Sequence, residues 1–139
     1  MNLDKEWDKF KGGPTVALKN RVHVTLNNKG EFYLNQNAYR MLGKPIAVRL
    51  YFNRHRDMIA LEPSHPHLPE AFPVKEKKPG VGAWTIHAAP FCKHYGIRMT
   101  TTESFVRPDI DNNGILILEL ANTVTVSGYR SKRRQNREI

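Results

Sequence analysis

Six cations crowd one short span of this sequence, Lys29, Arg40, Lys44, Arg49, Arg54 and Arg56, with Tyr33, Tyr39 and Tyr51 interleaved among them. Cations set among aromatic rings suit a polyanion: the charges neutralise phosphates, and the rings can stack on bases. The same pattern also describes an outer sheet face that simply sits in water. A second basic set, Arg130, Lys132, Arg133, Arg134 and Arg137, falls in the last ten residues, where Glu138 is the one acid. Such an arm fits phosphate contacts and equally fits a solubilising tail. The chain as a whole carries 22 Lys and Arg against 13 acids, a net charge of +9. That surplus favours nucleic acid, acidic protein or anionic membrane as partner classes.

Other chemistry is less well supported. Asp109, Asp111, Asn113 and Gly114 begin like a calcium-binding EF-hand loop. The twelfth position, which should be a bidentate glutamate, is Leu120, and an Asn-Gly turn between strands explains the same residues. His65 with His67, and His87 with Cys92 and His94, lack the paired spacing of a zinc site. Cys92 reads as a small buried residue, and His94 two positions later would not share its helix face. No nucleophile elbow, P-loop or dinucleotide fingerprint occurs, so neither an enzyme nor a bound cofactor or metal is expected.

The elements that must position the cations read mainly as strands. Val22, Val24 and Leu26 alternate with His23 and Thr25, and Asn27, Asn28 and Gly30 form a hairpin turn. A short strand over residues 32–34 leads to Asn35, a fair helix cap. Ala38, Met41 and Leu42 should share the buried side of a short helix that Gly43 and Pro45 end. Ile46, Val48, Leu50 and Phe52 then alternate with Ala47, Arg49 and Tyr51, a half-buried strand. A polar turn at 53–57 returns the chain into a strand at 58–61. Prolines at 63, 66, 69, 73 and 79 exclude a regular helix or a central strand, so residues 63–83 read as a surface connector. A second unit follows: a strand at 84–86, a helix with Pro90 in its first turn and Gly96 at its end, and an extended stretch over 97–106. After a turn at 108–114 comes an apolar strand at 115–120, covered on both faces, and a last strand at 122–126.

The expected organisation is an N-terminal arm (1–20), one barrel-like domain (21–126) and a basic tail (127–139). The domain divides into unit one (21–62), the connector and unit two (84–126). The two units share an element order, which points to an internal pseudo-two-fold repeat. The charged first eleven residues lack the apolar core of a signal peptide, and no run nears the roughly 20 apolar residues of a membrane helix. A lone cysteine cannot form an internal disulfide. A cytoplasmic protein with no membrane partner is the expectation.

Gly30, Leu34, the helix end Arg40-Met-Leu-Gly43, the strand Val48-Arg-Leu-Tyr51 and the strand Met58-Ile-Ala-Leu61 together resemble the AbrB/SpoVT/MraZ swapped-hairpin family over residues 22–61. A degenerate second copy would span 84–120. The resemblance implies a mainly β, β-rich α+β fold: a small swapped-hairpin barrel with two short helices, formed by a pseudo-dimeric monomer or a homodimer. It also implies a transcription regulator contacting DNA, in preference to RNA, and Arg40 matches the family's DNA-contacting arginine. Glu31 and Asn35 stand where the family usually has Arg and Pro, and a carboxylate beside phosphates is repulsive. The rival expectation is a non-enzymatic assembly protein whose two terminal arms grip neighbouring subunits.

Overall fold

The side chain of Asn27 sets the first turn. Its Oδ1 accepts from the Lys29 and Glu31 N–H groups (3.0 and 2.9 Å), and its Nδ2 donates to Glu31 Oε1 (2.9 Å). Gly30 completes the turn at φ +77°, and a Cβ there would lie 2.7 Å from the Cα of Ala89. Backbone conformation and space both demand glycine. The turn joins β1 (Val24–Leu26) to β2 (Glu31–Asn35) in the computed structural model, which describes Trp7 and residues 21–126. The tail cations Arg130 to Arg137 lie outside the described residues.

Asn35 ends β2 and caps α1 (Gln36–Met41), its Oδ1 accepting from Ala38 N–H at 2.9 Å. The same oxygen accepts from His23 N–H, and Nδ2 donates to the Arg21 carbonyl, so one side chain ties the entry of β1 to the helix start. Gly43 leaves the helix at φ +90°. Ala38 and Leu42 are buried as expected, but Met41 is 60% exposed. At about 100° per residue the packed arc runs through buried Ala38 and Leu42 and half-buried Tyr39, which stacks on Trp84 with ring centroids 4.0 Å apart and nearly parallel.

The hairpin β3 (Ala47–Asn53) and β4 (Met58–Ser64) follows, paired Arg49 to Glu62 and Phe52 to Ile59. Val48 is buried and Leu50 and Phe52 are half-buried against the core, whereas Ile46 is 61% exposed. Ile46 precedes the strand, still in the turn set by Pro45, so the alternation does not reach it. The proline-rich connector contributes two short strands, β5 (Ala71–Pro73) and β6 (Lys75–Glu76). Both are edge strands, where a missing proline N–H is tolerated.

Unit two begins with β7 (Ala83–His87) and α2 (Ala89–Tyr95), which Gly96 ends at φ +68°. The stretch 97–106 is extended into a ladder only at β8 (Glu103–Phe105), and the turn region contains β9 (Asp109–Ile110). Then come β10 (Leu116–Glu119) and β11 (Thr123–Thr125). Leu116 and Leu118 are buried while Ile117 faces outward, so β10 is covered on one face rather than two.

Two antiparallel sheets result, ordered β11-β8-β1-β2-β7-β6 and β5-β3-β4-β10-β9. The fold is mainly β with two short helices. Val24, Leu26, Phe32, Leu34 and Ile86 from the first sheet meet Val48, Ile59, Leu61, Leu116 and Leu118 from the second in one core. Burying side chains of this size stabilises by about 1.5–3 kcal/mol each. The chain passes from β5 through Val74 into β6, joining the sheets along one side.

Part of the strand order is symmetric, once β5, β8 and β11 are set aside. In the first sheet β1-β2 abuts β7-β6, and in the second β3-β4 abuts β10-β9. The central pairs, β2 with β7 and β4 with β10, are antiparallel, as a two-fold relation requires. The counterpart of β1 is therefore β6, inside the connector, and that of the long β3 is the two-residue β9. Strands β5, β8 and β11 are additions outside the symmetry.

Candidate nucleic-acid interface

Because β2 and β7 run antiparallel and each feeds a helix, α1 and α2 lie at opposite ends of that strand pair. The cations expected to act together are divided accordingly. Arg40, in the last turn of α1, is exposed. Lys44, next to it, has φ +53° and donates its N–H to the Tyr39 carbonyl at 2.9 Å. Lys44 and Arg49 line one groove on the second sheet. Arg56 lines another, with Tyr51, Met58 and Ile117. Arg54 sits 5.6 Å from the centre of the Phe52 ring, a cation–π contact. Lys29 is at the far end, beside α2.

At that far end two cations join Lys29 that its own stretch of sequence does not reveal. Lys29, Lys93 and Arg98 line a groove of ≈ 370 Å³ between the β1–β2 turn and the end of α2, with Asn27, Asn28 and Thr100. No acid lines it. The groove forms because Gly30 lets Ala89 approach closely, bringing the helix against the turn. The exit glycines of the two helices, Gly43 and Gly96, supply a signal that could have found Lys93. Three residues before each stands a cation: Arg40 in one unit, Lys93 in the other.

Nearby Glu31 is the acid that would oppose phosphates. Its carboxyl is held below the usual carboxylate range first by the hydrogen bond from Asn27, then by His87 and Lys29. His87 Nδ1 lies 2.9 Å from it. Glu31 is thus engaged by its own neighbours and does not line the basic groove.

The remaining candidates have structural partners. Asp111 Oδ1 accepts from Asn113 and Ile115 N–H groups, and Gly114 turns at φ +78°, which makes this loop the β9–β10 hairpin turn. His65 stacks on His67 and His94 meets Tyr95 edge-on. Among the described residues no three His, Cys, Asp or Glu side chains converge as a metal would need. Cys92 is buried, and burial pushes its thiol pKa up, away from the thiolate a nucleophile requires. Compared with protein-family models, curated proteins and solved structures, the chain matches none of them. Among the described residues no helix is long and apolar enough to cross a membrane.

Proposed function

We propose that this chain binds nucleic acid without catalysis, and that duplex DNA is its preferred form. The observation that supports the reading is the groove of Lys29, Lys93 and Arg98, three cations with no lining acid. The chain's net charge of +9 also favours a polyanion partner. The preference for DNA, and a role in regulating transcription, rest on the resemblance to the AbrB/SpoVT/MraZ swapped-hairpin family. In this reading Lys29, Lys93 and Arg98 contact backbone phosphates, with Arg40 at the opposite end of the β2–β7 pair.

A second reading, an assembly subunit, draws on the outer face of the second sheet. There Tyr51, Met58, Ala60 and Ile117 line an apolar groove beside Arg56. Titration of duplex DNA, single-stranded DNA and RNA across a salt series separates the two. Duplex binding that is tightest at low salt and weakens steeply as salt rises supports the first reading. No binding to any of the three at low salt overturns it.

A further inference from the structure

The two sheets end in four edge strands, β11 and β6 in the first and β5 and β9 in the second. An edge strand exposes unpaired N–H and C=O groups, and proteins guard such an edge with charge, proline or shortness. Three of these edges are guarded in that way. Strand β6 is the two charged residues Lys75 and Glu76, β5 ends in Pro73, and β9 is two residues that follow Pro108. Strand β11 is Thr-Val-Thr, within a stretch from Leu120 to Val126 that has neither charge nor proline. Among the described residues no strand pairs with its outer side.

The register with β8 fixes which groups that edge presents. Val106 N–H donates to the Asn122 carbonyl at 3.0 Å, and Val126 N–H to the Thr102 carbonyl at 2.9 Å. Val124, midway between them and opposite Ser104, is therefore in the hydrogen-bonded phase with β8. The backbone groups of Thr123 and Thr125 point the other way, to the open side. Thr123 is opposite Phe105, a core residue, so Val124 and Val126 lie on the outer face, where Val124 is 56% exposed.

We propose that two copies of this chain pair through β11, antiparallel about a two-fold axis at Val124, joining their six-stranded sheets edge to edge. In that register Thr123 of each copy exchanges backbone hydrogen bonds with Thr125 of the other, so the outward groups of both strands are met. The two Val124 side chains are then directly opposed in the close, non-hydrogen-bonded position, with Cα atoms about 4.5 Å apart, and cover each other. Charge selects this edge for self-association. In a chain of net charge +9, joining two copies at Leu120 to Val126 opposes no like charges within the stretch. A three-residue edge buries far less than the roughly 1,200 Å² of a stable complex, so free copies separate at micromolar concentration and pair towards millimolar. Pairing brings two grooves of Lys29, Lys93 and Arg98 into one particle. Its value for duplex binding rests on the reading above, and the pairing itself does not.

The test is a concentration series of the full chain without nucleic acid, from micromolar to millimolar, followed by amide resonances. The Thr123 and Thr125 N–H signals should shift saturably with concentration, and those of Val124 and Val126, which point inward to β8, much less. Thr125→Pro removes an outward N–H and no ladder bond, so the chain should fold and pairing should weaken about tenfold or more. Val124→Lys sets like charges at the centre of the contact and should do the same with the backbone intact. The remaining amide signals report whether each variant folds. Shifts that are absent at millimolar concentration, or unchanged in both variants, overturn the proposal. Shifts centred on Tyr51 and Ile117 overturn it in favour of the second sheet's outer face. Slow hydrogen exchange at Thr125 that is independent of concentration also overturns it, because the edge is then occupied within one chain. Failure here leaves the duplex reading untouched, since no nucleic acid is present.

Discussion

Asn27 and Asn35 fix local structure by bonding their own surroundings, and their effects should be measurable singly. Asn35 caps α1 and holds the entry to β1 through three hydrogen bonds, and it is 7% exposed. Asn35→Ala should cost about 2 kcal/mol, the upper end for a cap, in urea unfolding. A change within error of zero would mean that the backbone holds this junction unaided. His23, on the same junction, has its pKa lowered from 6.5, first by burial and then by Arg21. The folded protein therefore binds that proton less readily than the unfolded chain does. Stability is fully present above pH 6.5 and should fall as pH drops below it. His23→Gln should flatten the fall, and an unchanged pH profile would place its cause elsewhere.

At the scale of elements, the expected strands differ in how much they bury. Leu118, opposite Ile59 of β4, is fully buried in the core, whereas Leu50 is only partly buried. Leu118→Ala should cost about 2–5 kcal/mol and Leu50→Ala clearly less, read as midpoints of denaturant unfolding. Equal costs would contradict the packing described for β3. What was legible in the sequence follows the same division between local and distant causes. The Asn27–Gly30 turn, the Asn35 cap and the Gly43 and Gly96 helix exits are written in side chains that act within a few residues. Strands β6 and β9 are two residues each and exist only because β7 and β10 lie beside them. Nothing at Lys75 or Asp109 announces that. Likewise Lys29 was recognisable as a basic turn residue, but its groove partners Lys93 and Arg98 come from more than sixty positions away. Met41 faces solvent, against its spacing, because the stacking of Tyr39 on Trp84 rotates a helix too short to resist.

For the whole molecule, we propose that the chain supplies both halves of the arrangement, a reading that its strand order supports once β5, β8 and β11 are set aside. Each half's central strand already has an internal partner, β2 with β7 and β4 with β10. A monomer of 16.0 kDa is therefore expected in sedimentation at micromolar concentration. A dimer would show that the outer faces, the Tyr51–Ile117 groove first among them, close against a second copy. The most direct measurement of the functional account is a salt series of duplex DNA binding for the parent and for a chain carrying Lys29→Gln, Lys93→Gln and Arg98→Gln. Every cation–phosphate pair removed should flatten log K against log salt by about 0.9, so by up to about 2.7 if all three engage. Binding should weaken similarly on all sequences, since phosphate contacts carry no sequence choice. Equal affinity and equal slope for the two proteins would contradict the account.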